Sequence, residues 1–70
     1  MTNLKDILFF RTAAEYEAYT EMNMRRSTWT EEEIDRQRDR FCSAYQIVEE
    51  AELEDEYQAW KEAHASEFTF

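Results

Sequence analysis

A chain of seventy residues without a single glycine or proline has few ways to turn. Average usage would supply about eight of the two together. Hairpin turns and strand connections lean on glycine, whereas helices do without it. An all-α fold is therefore expected. The missing glycine also withdraws the residue that most often takes the left-handed conformation after a helix. Helix ends must then be set by side-chain caps and polar breaks. The length allows one domain, residues 1–70, read as a small three- to four-helix bundle. A core this small is marginal alone, and such chains often add disulfides, metal or a second subunit.

Trp29-Thr30-Glu31-Glu32-Glu33-Ile34 is the clearest helix start. Thr30 is placed to accept from the Glu33 amide while the Glu33 side chain returns to the Thr30 amide. Trp29 and Ile34 hold the two positions of a hydrophobic staple. Three glutamates face the positive end of the helix dipole. The spacing predicts a central helix of about 18–20 residues. Its inner face would carry Ile34, Phe41, Tyr45 and Val48, with Ala44 and Ala51 beside them. Glu32–Arg36 and Asp35–Arg38 would pair along its polar side.

Upstream, Asn3 is placed to cap a short first helix with Leu4, Ile7 and Leu8 on one face. Phe9 and Phe10 point elsewhere. A second capping box, Thr12-Ala13-Ala14-Glu15, predicts a new helix running to about Asn23 or Met24. Ala13, Tyr16, Tyr19 or Thr20, and Met24 would form its inner side. Residues 25–29 would connect it to the central helix. Beyond Ala51 the apolar phase jumps by about 120° to a stripe of Leu53, Tyr57 and Trp60 with His64. That jump predicts a break or kink near Glu49–Glu52.

Most chemistries are excluded by composition. Without glycine there is no phosphate-cradling loop. The single histidine, His64, would have to carry any triad alone, and its place at a helix end reads as carbonyl contact or cover for the Trp60 stripe. Cys42, the only cysteine, forbids an internal disulfide and suggests a reducing compartment; beside Phe41 it reads as a buried, inert thiol. No EF-hand, His-Glu-x-x-His or Glu-x-x-His pattern offers a metal site. The expectation is no enzyme, no cofactor and no metal. Neither end reads as a targeting segment, and the apolar run Ile7-Leu8-Phe9-Phe10 is too short to span a bilayer. A cytoplasmic location is expected.

The charge, −9 overall, is unevenly placed. Residues 1–30 carry four acids and four bases; residues 49–70 carry eight acids against Lys61. This argues against direct nucleic-acid or anionic-membrane binding and permits a basic protein partner. Glu49, Glu50, Glu52, Glu54, Asp55 and Glu56 are the candidate partner-binding residues. If residues 49–67 were one helix, rising about 1.5 Å per residue, the acids would fall every 3.5 Å or so. One strand of duplex DNA carries a charge about every 3.4 Å. In that helix Glu49, Glu52 and Glu56 would form one row, with Glu50 and Glu54 across the apolar stripe. The plain alternative is a solvated face that keeps the protein in solution. Arg25-Arg26, in a loop that loosely fits a basic-directed kinase pattern, would face solvent or pair with this acidic region. Phe9-Phe10 and Phe68/Phe70 read first as core, otherwise as an exposed edge or homodimer contact.

In size, acidity, lack of glycine and proline, and aromatic-rich helices, the chain resembles the small acidic inhibitors of phages and mobile elements, anti-CRISPR proteins and other DNA mimics. That resemblance implies a non-enzymatic inhibitor that binds a basic nucleic-acid-binding surface of a host defence complex, such as a CRISPR effector. A helical adaptor or assembly module, homodimeric and read through its aromatic surface, is the alternative. An antitoxin-like subunit is a more distant third reading.

Overall fold

The computed structural model describes residues 3–68. It contains three α-helices and no strand among the described residues. Helix α1 spans Leu4–Met24, α2 spans Glu31–Glu50 and α3 spans Glu54–Ala63. Single 3-10 turns follow α1 at Arg26–Thr28 and α3 at Ala65–Glu67. The fold is all-α, as the absence of glycine and proline predicts.

The central helix begins where the capping box puts it. The Glu33 amide donates to Thr30 Oγ1 at 3.1 Å and the Thr30 amide donates to Glu33 Oε1 at 3.2 Å. Both expected surface pairs form, Arg36–Glu32 at 2.7 Å and Arg38–Asp35 at 3.6 Å.

The expected break at Thr12 does not occur, and α1 runs unbroken for 21 residues. The Thr12 hydroxyl is buried and donates back to the Leu8 carbonyl at 2.8 Å. This back-bond satisfies the side chain inside a continuous helix. Glu15, the other half of the supposed box, instead meets Arg11 at 3.3 Å and the Gln37 side chain. The two apolar faces that a continuous helix requires are both present. Phe9 and Ala13 are buried, whereas Leu4, Ile7 and Phe10 are exposed on the opposite side. Met24 at the helix end is exposed rather than inward.

Helices α1 and α2 pack antiparallel: Gln37, early in α2, meets Glu15, while Val48, near its end, shares the core with Phe9, further back along α1. Tyr16 meets Phe41 between the two helices. Gln37 is a buried polar residue between them, donating to the Glu15 carbonyl at 3.1 Å. Phe9, Ala13, Val48 and Tyr57 form the core, with Leu8, Tyr45, Leu53, Trp60 and Phe68 packed against it. Ile34 and Ala44 are also buried, whereas Phe41 and Tyr45 are half-buried and Ala51 is exposed. Cys42 is exposed too, not buried. One residue on from Phe41, it is turned by about 100° off the inner face.

Tyr57 is 2% exposed and joins Phe9 and Tyr45 at ring-centroid distances of 5.5 and 5.9 Å. Its hydroxyl is buried without a hydrogen-bond partner among the described residues. Burial, with Tyr45 and Tyr16 adding to it, pushes that hydroxyl up to about 12.

Candidate functional site

The acidic region is a corner, not a straight row. Helix α2 stops at Glu50, and Glu52 takes a left-handed backbone with φ 57°. The Leu53 amide donates to the Val48 carbonyl at 2.9 Å and the Glu52 amide to the Glu49 carbonyl at 3.0 Å. These two bonds are the Schellman pattern, with Glu in the place glycine usually takes. Leu53 packs on the core that holds Val48, which pins the turn. The phase jump read from sequence is this corner. The single row of Glu49, Glu52 and Glu56, and the charge spacing computed along it, are overturned because no common helix carries those residues.

The six acids divide by their local role. Glu54, Asp55 and Glu56 fill the first turn of α3, whose N-cap Leu53 makes no side-chain cap. Carboxylates there meet the positive end of the helix dipole and favour the helix. Glu54 is half-buried, and Glu56 pairs with Lys5 at 2.6 Å. Glu49 and Glu50 are placed the other way. They end α2, which has no basic residue in its last turn, so both face the negative end of the dipole. Glu52 holds a backbone conformation that costs a side-chain-bearing residue about 1–2 kcal/mol. All three are exposed. Only Glu50 has a side-chain partner in its own helix, the Gln46 amide at 3.1 Å.

The acidic corner does not draw the Arg25-Arg26 doublet. Arg26 is bound to Asn23 Oδ1 at 2.9 Å, and Lys5 supplies the contact to Glu56. Lys61 lies over the Tyr16 and Tyr57 rings at 5.2 and 5.6 Å. The basic charge nearest in sequence is thus spent partly on aromatic faces.

A second feature lies along the outer side of α1. An open groove of about 900 Å³ is lined by Leu4, Ile7, Phe10 and Arg11 on one side and Trp60 and His64 on the other. Phe10 is 55% exposed while its ring meets Phe68 at 5.5 Å. Phe70, read from the sequence as part of the same group, lies outside the described residues. His64 stacks on Trp60 at 4.1 Å and its Nδ1 lies 2.8 Å from the Trp60 carbonyl. This is the helix-end role expected of it. Sequence periodicity missed the groove because a short-helix reading ended the Leu4–Ile7 face before Phe10 and Ala14 joined it.

No group of three or more His, Cys, Asp or Glu among the described residues is placed to hold a metal ion. No helix of the described residues is long and apolar enough to cross a membrane. Compared with protein families, curated proteins and solved structures, the chain matches none.

Proposed function

We propose that the protein is a non-enzymatic inhibitor whose acidic corner docks on a basic surface, of the kind that holds nucleic acid in a host defence complex such as a CRISPR effector. One observation carries this reading. Glu49, Glu50 and Glu52 stand where each weakens the fold, two against the α2 dipole and one in a left-handed turn. Glu50 keeps only an exposed bond from the Gln46 amide, and residues that break local rules for so little structural return are the ones to assign to binding. Glu54, Asp55 and Glu56 have a structural reason to be acidic and add field to the same corner. Opposite charge of this density steers a basic partner and speeds its association.

The test uses two readouts of opposite sign. Replacing Glu49, Glu50 and Glu52 together by Lys is expected to leave the fold intact and raise its stability by about 1 kcal/mol, since basic residues suit a helix C-terminus. The same variant is expected to lose the ability to block DNA loading onto purified CRISPR effectors at about 50 mM salt, with parent inhibition fading as salt rises. A parent protein that never competes with DNA, or a variant that competes as well as the parent, defeats the reading.

The adaptor or assembly reading is favoured by a different observation, the exposed Leu4, Ile7 and Phe10 beside the groove. Large apolar side chains gathered on one face of a small protein mark an interaction surface.

A further inference from the structure

We infer that the outer face of α1 is a self-complementary surface on which a second copy of the chain docks, α1 against α1 in parallel. The inference rests on the assembly reading and makes no use of the acidic corner.

Phe10, Ala14, Ile7, Arg11 and Leu4 fall within about 120° of one another around the helix. Asp6 lies about 40° beyond Phe10, on the flank opposite Arg11. Ile7, Phe10 and Ala14 therefore hold the a, d and a positions of one heptad, with Asp6 at g and Arg11 at e. All five line the groove. Side chains at g and e set partner choice and orientation when helices pair. In a parallel pair, a g residue reaches forward to the e residue of the facing helix, five positions on. Asp6 and Arg11 have that spacing and opposite charge. A two-fold pair then makes the contact twice, Asp6 to the partner's Arg11 and Arg11 to the partner's Asp6.

Three facts leave these groups available. The Asp6 carboxylate makes no ion pair among the described residues; only its backbone amide is used, at Asn3. The Arg11 side chain is 72% exposed while touching Glu15. Ile7 and Phe10 are each more than half exposed. Charge repulsion between copies is also smallest here, because residues 1–30 are electrically balanced. An antiparallel pair lacks the contact, since it sets each flank against the same flank of the other helix and leaves Asp6 away from Arg11.

The contact covers about three helical turns, at the small end of interfaces, so association is expected at about ten to a hundred micromolar. The experiment is sedimentation equilibrium up to about 500 µM, with circular dichroism as the folding control. The parent is expected to dimerise. Ile7→Glu is expected to be folded and monomeric. Asp6→Lys and Arg11→Glu alone are each expected to weaken the dimer at least tenfold, because each sets like charges together twice. Mixing these two variants is expected to restore association, since every 6-to-11 contact across the mixed pair is again between opposite charges. A parent that stays monomeric at 500 µM overturns the proposal. So does a folded Ile7→Glu that dimerises like the parent, or a mixture that associates no better than its components. None of these outcomes bears on inhibition through the acidic corner, which the Glu49, Glu50 and Glu52 variant reads separately.

Discussion

Tyr57 carries opposing effects in one side chain. Its ring is central to the core, yet its hydroxyl is buried without a partner among the described residues. A buried polar group left unmet costs about 1–3 kcal/mol. Tyr57→Phe keeps the ring and removes that cost, so it is expected to melt at or above the parent temperature. The hydroxyl also links folding to alkaline pH. Its folded value is raised from 10.0 to about 12, so folding keeps the neutral form while the unfolded chain ionises. The contribution is complete below pH 10 and is lost as pH rises towards 12, by an amount on the order of 1–3 kcal/mol. Urea titrations of parent and Tyr57→Phe at pH 8 and pH 11 should show the parent losing more stability. Equal losses would count against this account. Gln37 is the contrasting residue: its amide meets a carbonyl and a carboxylate of Glu15, 22 positions away in sequence. No local pattern announces such a partnership, and nothing in the sequence alone singles out Gln37.

Elements were legible where their signals are local. The Thr30–Glu33 box closes within four residues, and the tertiary fold has nothing to add to it. Thr12–Glu15 has the same spelling and fails, because Thr12 lies against the core and Glu15 is claimed by Arg11 and Gln37. The corner at Glu52 was visible as a phase jump, but its cost was not, since a sequence does not display a backbone angle. Glu52→Gly tests that cost. Glycine takes φ near +57° freely, and the relief of about 1–2 kcal/mol exceeds its added unfolded-state entropy. The variant is expected to unfold at higher urea, with a gain of about 1 kcal/mol; an unchanged midpoint would show that the Schellman bonds already remove the strain. Of the candidate site, the acidic residues were legible as composition. Their division into helix-supporting and helix-opposing members was not, because it depends on which side of the break each one falls.

At the scale of the whole molecule, the protein is thin. Its extents are 38 × 26 × 21 Å, and a helix with its side chains is about 10–12 Å across. A body two helices deep has little interior, and each large core side chain carries a large share of it. Phe9→Ala is expected to cost about 3–5 kcal/mol. Small domains hold only about 0.05–0.15 kcal/mol per residue, so this loss is a large share of the total and the variant should melt well below the parent by circular dichroism. Phe41→Ala, at a half-buried site, should cost less and keep the helical signal. Phe9 also sits midway along an unbroken succession of rings. From Tyr16 through Phe41, Tyr45, Tyr57, Phe9, Trp60 and Phe68 to Phe10, neighbouring centroids are never more than 6.1 Å apart. Tyrosines held this close to an indole are expected to pass excitation energy through space to Trp60. With Trp29, the other tryptophan, replaced by Phe, tyrosine-excited emission from Trp60 is expected to fall when α1, α2 and α3 separate, an optical gauge that needs no added dye.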